Sequence, residues 1–176
     1  RTDSRNELNR TISAFMRQFK TSVVIEDIKG FRGKYRGYLT ANSSAEKCHL
    51  LNSVLSLTLD GFFFDDPEEV TFDGKTEGTI QIESSRDAPC VITVTAKSDI
   101  TNYKMTIGDD DYTIGSLKSG KQIIIDGIEG KVTQDGTNDF GNVDMWQFPK
   151  LQAGKTSVKF SSSAAQVTVK YTPMWI

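Results

Sequence analysis

The stretch that decides the fold lies in the last third of the chain. There Gln122-Ile-Ile-Ile-Asp-Gly127 leads through a loop to Trp146-Gln-Phe-Pro-Lys-Leu-Gln-Ala-Gly154. Three isoleucines before Asp-Gly are typical of a strand that enters a tight turn. Phe148-Pro149 predicts an extended segment, and Gly154 predicts the turn that follows it. The chain then reaches two predicted strands and Tyr171-Thr-Pro-Met-Trp175, so this order predicts the closing part of a β-sandwich.

The residues around this stretch predict eight short strands. β-Rich runs alternate with turn residues at the spacing of a sandwich or barrel. The runs are residues 79–83, 90–96, 103–107, 111–114, 121–126, 130–134, 156–161 and 166–171. Asp109-Asp110 and Asp126-Gly127 are typical of hairpin turns, whereas Asn102, Asp135-Gly136 and Asn142 predict loops with positive φ.

The beginning of the chain predicts a helix and a small sheet. Ser4 and Glu7 fit a capping box, and an apolar stripe at helical spacing follows them. The stripe consists of Leu8, Ile12, Phe15, Met16 and Phe19. We therefore expect a helix over residues 4–20 that packs on a sheet. Strands are predicted over residues 22–27, 34–40 and 53–59, while residues 42–50 are open between a loop and a strand.

A change toward turn-forming residues predicts a domain boundary near residues 73–78. The block before it ends at Phe62-Phe-Phe64 and continues into Asp65-Asp-Pro-Glu-Glu69, whose proline and carboxylates interrupt regular pairing. We expect two domains, residues 1–75 and residues 76–176, and a chain of 176 residues can bury a core in each. The predicted fold class is mainly β with one N-terminal helix, as an α+β domain followed by a β-sandwich.

The order of these motifs resembles the distal tail protein family of siphophages, whose members build the baseplate hub. In the second domain the resemblance rests on the strand before Gly127, on Phe148-Pro149 with Leu151 and Gly154, and on the closing Tyr171-Thr-Pro-Met-Trp175. In the first domain the similar residues are Val23-Val-Ile-Glu-Asp27, a turn with Gly30 and Gly33, Lys34-Tyr-Arg-Gly-Tyr-Leu-Thr40, and Val54 to Leu59 leading to Asp66-Pro67.

The resemblance implies a partial ring-forming (belt) domain followed by a galectin-like β-sandwich. The family's first domain begins with strands before the helix, and this sequence begins at about the helix, so we expect a partial first domain. The implied function is structural: a homo-oligomeric ring of six copies joins the tail tube to the tail-tip protein, and the sandwich carries receptor-binding proteins. The implied localisation is the virion tail, after synthesis in the cytoplasm of the bacterial host.

The charge of the chain is almost balanced but unevenly distributed. The net charge is -2, and the residues through Thr40 contain nine basic and four acidic residues, which leaves -7 for the remainder. A basic front end can contact nucleic acid or an acidic protein. Because the chain lacks the clustered aromatic and basic pattern of a stacking platform and its overall charge is not basic, a solvated helix and hairpin are favoured and no sequence-specific nucleic acid is expected.

The apolar runs predict neither a membrane span nor a secretion signal. A membrane helix needs about 18 or more apolar residues, and no run in the sequence approaches that length. The first residues also lack the apolar segment of a secretion signal. We therefore expect no membrane partner.

Cysteine and histidine are too few for a catalytic or zinc site. Cys48 and Cys90 are the only cysteines, and His49 is the only histidine. Cys48 and His49 are neighbours in sequence, so their side chains point in different directions and do not form a nucleophile pair. We expect both cysteines to be buried free thiols and the protein not to be an enzyme.

Two acidic loops are the best places for a hard cation, and neither fits one. Read as an EF-hand loop that begins at Asp135, the second loop has Phe140 where glycine is needed and Trp146 where glutamate is needed. Asp109-Asp-Asp111 is interpreted as a solvated loop. No metal or other cofactor is expected.

A carbohydrate-binding β-sandwich adhesin is the alternative function. Galectins bind sugar with a tryptophan and a cluster of polar side chains, and Trp146 is the candidate for that role here. Trp146 lies beside the Phe148-Pro149 corner and Trp175 near the chain end, where an aromatic usually fills a core or junction. We favour that burial for both tryptophans, and we expect Phe148 to lie with Leu151 in the sandwich core.

Overall fold

The computed structural model describes residues 5–31, 33–47 and 52–176. In these ranges the chain is mostly β with one α-helix near its start, which confirms the predicted fold class. The chain divides into two compact units. The first unit is Arg1–Phe64 with Ile176, and the second unit is Asp65–Trp175.

The first unit contains the helix and a three-stranded antiparallel arrangement. Helix α1 spans Arg5–Met16 and continues into a 3-10 turn at Arg17–Lys20. Strands β1 (Val23–Ile25), β2 (Lys34–Lys47) and β3 (Asn52–Phe64) are hydrogen-bonded in the order β1-β2-β3. The ambiguous residues 42–50 are therefore strand as far as Lys47, and the long β2-β3 hairpin contains a β-bulge between Leu39 and Ala41.

The apolar stripe of α1 is less buried than predicted. Leu8, Ile12 and Met16 are half-buried, and the Phe15 side chain is 43% exposed. No apolar side chain in the described part of the first unit is fully buried. The expectation that the stripe forms a core against a sheet is wrong, because helical periodicity indicates which side is apolar but not what covers it. The capping box involves Ser4, which lies outside the described residues.

The second unit consists of two sheets that face each other. The strands of these sheets are β4 (Glu68–Asp73), β5 (Glu77–Ile82), β6 (Ala88–Ala96), β7 (Ile100–Ile107), β8 (Asp110–Leu117), β9 (Gln122–Asp126), β10 (Lys131–Gln134), β11 (Thr137–Asn138), β12 (Val143–Met145), β13 (Lys150–Leu151), β14 (Gly154–Phe160) and β15 (Ala165–Tyr171). The short strand β16 (Met174–Trp175) belongs to neither of them. One sheet has the order β11-β10-β9-β6-β15-β4, with β13 also on β6, and the other has the order β12-β8-β7-β14-β5.

Alternating apolar residues on these strands form the core of the second unit. In β6, Cys90, Ile92 and Val94 are fully buried and the residues between them face outward. Burying an aliphatic side chain of this size contributes roughly 1.5 to 3 kcal/mol. All eight predicted strands are present, each within a few residues of its predicted bounds.

Strand β4 begins within the predicted interruption. Regular pairing stops at residues 65–67, as predicted, but it resumes at Glu68, and the first domain was expected to end at residue 75. Instead β4 pairs with β15 along its whole length, and the Phe72 ring is 4% exposed and lies 5.5 Å from the Phe160 ring. The division between the units falls after Phe64. The Glu69 and Asp73 carboxylates point outward and alternate with Val70 and Phe72. Glu68 lies on the same face as Val70 and Phe72 and accepts a hydrogen bond from the Tyr171 hydroxyl at 2.8 Å, so the carboxylates do not prevent pairing.

The predicted positive-φ positions are correct except for one. Asn102 and Asp135 have φ of 51° and 48°, and Gly136 has φ of 82°. Asn102 lies inside β7, where the pairing to β8 is interrupted at Asn102 and Gly115 without a change of register. Asn142 is the exception, because it belongs to the 3-10 turn Phe140–Asn142.

Glycine is required at position 127 because the backbone there comes close to Cys90 and to Pro149. Its backbone N–H donates to Cys90 O at 2.9 Å, and the Cys90 N–H donates to Pro149 O at 3.0 Å. A Cβ on Gly127 would lie 2.1 Å from Pro149 O and 2.7 Å from Cys90 O. The backbone cannot accept any side chain here without moving β6 or the Phe148-Pro149 corner.

We predict that Gly127→Ala lowers the free energy of unfolding by about 1 to 3 kcal/mol, the usual cost of overpacking. Gly141→Ala is the matched control, because a Cβ on Gly141 would have no heavy atom within 4 Å outside its immediate chain neighbours. Urea unfolding of both variants measures the difference. Equal midpoints for the two variants would contradict the close approach at Gly127.

We propose that the two units are separate domains divided near residues 64 and 65. The fragment Asp65–Ile176 should then unfold cooperatively on its own, because it contains β4 and the whole buried core. A fragment that begins at Gly78 loses β4 and Phe72 and should melt at a lower temperature. The division would be disproved if the isolated Asp65–Ile176 fragment were unfolded while the whole chain is folded.

Candidate functional site

Trp146 is presented to solvent at the end of β12. Its side chain is 97% exposed, so the expectation that it fills a core or junction is wrong. The residues beside it are fixed: Met145 packs against the core, and Gln147 Nε2 donates to Asp110 Oδ1 at 2.6 Å. Val143 and Met145 point inward on β12, so Asp144 and Trp146 lie on the outward side. Trp175 is half-buried in β16.

Phe148 lies at the rim of the core and not in its centre. It is partly buried against the core cluster, and its ring lies 6.1 Å from the ring of Phe140, which is 49% exposed. Leu151 is fully buried, as predicted. The expected burial of Phe148 is therefore correct only in part.

A polar cleft of about 540 Å³, which was not predicted from the sequence, lies between β8 and the β10-β11 region. Its lining includes Ser116, Lys118, Gln134, Thr137, Asn138 and Asn142. The Asn142 amide is fixed because its Nδ2 donates to Ser116 O and to Asp139 Oδ2, both at 2.8 Å. The run of polar residues from 134 to 142 was the sequence feature that could have indicated the cleft, and it was interpreted only as turns.

The cleft and Trp146 are separate features of the second unit. Asn142 directly precedes β12 and Trp146 directly follows it, and Trp146 does not line the cleft. Lys118 at the cleft bonds to Asp99 Oδ2 at 2.7 Å, and this hydrogen bond lowers the pKa of Asp99 and raises that of Lys118. The arrangement offers hydroxyl, amide and charged groups for hydrogen bonding.

The acidic loops do not converge on a common point. Gln152 Nε2 approaches Asp109 Oδ2 at 3.4 Å, Asp110 accepts from Gln147, and Asp111 accepts from Thr106 Oγ1 at 2.7 Å. Asp135 forms an ion pair with Lys121 at 2.7 Å. Across residues 5–31, 33–47 and 52–176, no group of three or more His, Cys, Asp or Glu side chains could hold a metal ion.

Cys90 is an unreactive thiol in the middle of β6. It is fully buried and free, and its burial raises the pKa of the thiol to about 12. A thiol at that pKa stays protonated near neutral pH and is not a nucleophile. Cys48 and His49 lie outside the described residues. Within the described residues, no helix is long and apolar enough to cross a membrane.

Residues 83–175 match the family model described as siphovirus-type tail component, C-terminal domain. The chain belongs to this family. The predicted distal tail protein family is thereby confirmed. The matched residues cover the sandwich from β6 to β16 and include both Trp146 and the Phe148-Pro149 corner.

The fold is similar to that of a solved hub protein of phage SPP1. The crystal structure is that of SPP1 Dit (gp 19.1), described as a paradigm of the hub adsorption apparatus in phages that infect Gram-positive bacteria. The TM-score is 0.75 and the identity is 11%, with coverage of 100% of this chain and 75% of the SPP1 chain.

A second structural match is weaker. A chain in the activated baseplate of phage P2 with Ca matches with a TM-score of 0.42 and 11% identity, covering 96% of this chain and 75% of that chain. Comparison with curated proteins gave no match.

We predict different effects of two neighbouring aromatic substitutions on stability. Phe148→Ala should lower the free energy of unfolding by about 1 to 3 kcal/mol, less than for a fully buried phenylalanine, because the ring lies at the rim of the core. Trp146→Ala should change it by less than about 0.5 kcal/mol, since the side chain is solvent-exposed. Urea unfolding of both variants tests this. A larger loss for Trp146→Ala would contradict the structure at this corner.

Proposed function

We propose that the protein is a hub component of a siphophage or prophage tail, acting by assembly. It would form a closed ring, of six copies in the intact protein, between the tail tube and the tail-tip protein. The sandwich would project outward and carry receptor-binding proteins. Its site of action would be the virion tail, after synthesis in the cytoplasm of the bacterial host.

The family match over residues 83–175 carries this proposal. The similarity to SPP1 Dit extends the fold argument to the first unit, because all of this chain is covered. The first unit also offers apolar surface that an assembly would bury. Phe31, Tyr38 and Val54 are each about 60% exposed, and exposed apolar surface of this kind is typical of protein interfaces.

We also propose that the protein has no enzymatic activity. In the described residues the carboxylates of the acidic loops bind separate partners, and the thiol of Cys90 is buried. Nucleophilic catalysis requires a nucleophile and a base within hydrogen-bond reach of each other, and the described residues of the second unit give no such pair.

Carbohydrate binding by an adhesin is the second candidate, and the exposure of Trp146 favours it. An exposed tryptophan can stack on a sugar ring, and 97% of this side chain is exposed. The polar cleft lies at the other end of β12, so the two features do not combine into one tryptophan-plus-polar site. A glycan array with the wild type and Trp146→Ala separates this candidate from the hub.

Light scattering on the intact protein, with any upstream strands of the first domain included, should give a closed oligomer of six copies. A stable protein–protein interface buries at least about 1,200 Å², which the contact between neighbouring copies would have to reach. A monomer at high concentration would count against the hub. Binding of a defined glycan by that monomer would favour the adhesin.

A further inference from the structure

The outward face of the five-stranded sheet in the second unit carries a row of polar side chains. Strand pairing places Asp144 of β12 opposite Thr113 of β8, and Thr113 opposite Lys104 of β7. Directly paired residues share a face, and these three alternate with inward-pointing core residues, so they face outward. Neighbouring strands lie about 4.8 Å apart, and the row therefore spans roughly 10 Å.

Trp146 lies at the edge of this row. The residue before it, Met145, pairs with β8, and the residue after it, Gln147, donates to Asp110 of β8. Trp146 therefore lies beside Asp111, which is exposed on the outward side of β8. We name the following residues the tryptophan face: Trp146, Asp111, Asp144, Thr113 and Lys104.

The polar groups of the tryptophan face are available for a ligand. Within the described residues, the side chains of Asp144, Thr113 and Lys104 form no hydrogen bond or ion pair. Asp111 Oδ1 accepts from the Thr106 hydroxyl at 2.7 Å, which leaves its second carboxylate oxygen for other donors. Carboxylates accept hydrogen bonds, an ammonium group donates them, and a hydroxyl does both. The face therefore offers donors and acceptors side by side.

Charges of both signs alternate on this side of the sheet. Asp111 and Asp144 share it with Lys104 and with Lys159 of β14, and Glu77 of β5 pairs with Lys159. An anionic ligand would meet the carboxylates, and a cationic ligand would meet the ammonium groups. A neutral ligand with many hydroxyl groups meets neither repulsion and can bond to both kinds of group. The composition of the face therefore favours a neutral, polyhydroxylated ligand.

Trp146 is a single apolar platform in these polar surroundings. Its side chain is 97% exposed, and none of the other exposed large apolar side chains among the described residues lies on the strands of this sheet. A tryptophan buries about 150 to 250 Å², whereas a protein partner buries about 1,200 Å² or more around an apolar centre. A sugar ring needs less, because it has a face of C–H groups and a rim of hydroxyls. The C–H groups are attracted to the negative face of the indole.

We propose that the tryptophan face binds a neutral saccharide. One sugar ring stacks on the indole of Trp146, and its hydroxyls bond to the Asp111 and Asp144 carboxylates and to the Thr113 hydroxyl. Lys104, at the far end of the row, donates to a hydroxyl of the next ring. The proposal rests on the carbohydrate-binding candidate function and specifies its site, because the sheet face supplies the polar partners that the cleft does not.

The face is formed before a ligand binds. Met145 packs against the core and Gln147 is bonded to β8, so the chain on both sides of Trp146 is held. Binding therefore requires no ordering of a loop, which would reduce the affinity. The face is also open, so a ligand that contacts it with one or two rings should have a Kd on the order of 1 mM.

Tryptophan fluorescence of the full chain tests the site. The chain contains two tryptophans, and Trp175 is half-buried, so Trp146→Ala protein reports Trp175 alone. Neutral hexasaccharides of glucose, galactose, mannose and N-acetylglucosamine are titrated to about 10 mM, tenfold above the expected Kd. At least one should shift the wild-type emission to shorter wavelength, because stacking removes the indole from water. The shift should be absent in Trp146→Ala. No shift with any hexasaccharide would overturn the proposal.

A matched pair of threonine variants tests the polar row. Thr113 and Thr93 are both half-buried on the outward side of a strand, Thr113 in the five-stranded sheet and Thr93 on β6 of the other sheet. Valine keeps the shape and removes the hydroxyl. Thr113→Val should raise the Kd at least fivefold, and Thr93→Val should change it less than twofold. Equal effects of the two variants, with equal urea midpoints, would contradict the row.

Salt and an anionic ligand test the class of saccharide. Raising sodium chloride from about 50 mM to about 500 mM should change the Kd of the neutral ligand less than twofold, because no ionic contact is screened. Hexagalacturonate, which has the same length and a carboxylate on each ring, should bind at least tenfold more weakly. Tighter binding of hexagalacturonate that weakens with salt would overturn the neutral class.

The remaining outcomes separate this site from the proposed functions. Saccharide binding that survives Trp146→Ala overturns this site and leaves carbohydrate binding standing. A closed oligomer that binds no saccharide overturns the site and leaves the hub standing. If Trp146→Ala forms the same oligomer as the wild type and has lost only saccharide binding, the site is supported within the hub. If Trp146→Ala instead loses association and keeps saccharide binding, Trp146 belongs to a protein interface and the proposal is wrong.

Discussion

The close backbone approach at Gly127 is the constraint on which the sandwich depends. Gly127 donates to Cys90, and Cys90 donates to Pro149, so the β9-β10 turn, the middle strand β6 and the corner before β13 meet at one place. Cys90 also pairs with Tyr171 on β15. Because residue 127 has no side chain, these backbone segments, which are distant in sequence, can come close enough to form their hydrogen bonds. The short motifs around Gly127 and Pro149 are therefore the two sides of one contact.

The strands could be predicted from sequence where burial alternates and turns separate them. Strands β6, β9 and β15 have buried apolar residues at every second position, which is a local signal. Strand β4 has the same alternation at Val70 and Phe72, but the carboxylates at Glu68 and Glu69 and a preceding proline concealed it. Its partner is distant, since Thr71 bonds to Thr168, and no local pattern reports that β15 supplies its hydrogen bonds. The predicted boundary was too late for the same reason.

The site could be predicted only in part, because apolar character does not tell what covers a side chain. Trp146 and Phe148 are two residues apart beside the same proline, and both were expected to be buried. Phe148 reaches the rim of the core, whereas Trp146 continues the outward side of β12 and is exposed. The alternation of side chains along β12 predicts that Trp146 is exposed only once it is known that Val143 and Met145 point inward. The prediction for the apolar stripe of α1 was wrong for the same reason. The helical periodicity was interpreted correctly, but the expected burial of the stripe against a sheet was not found.

The distribution of buried side chains assigns different tasks to the two units. In the described residues, every fully buried apolar side chain belongs to the second unit, so that unit contains the stabilising core. The first unit instead exposes aromatic and basic side chains that contribute little to a core of its own. A substitution in the second unit's core should therefore act on stability, and one on Phe31 or Tyr38 should act on association. Trp146 is the residue that breaks this division, because it belongs to the stable unit but makes almost no contact within it. A tryptophan side chain exposed to that extent is available for contact with another molecule.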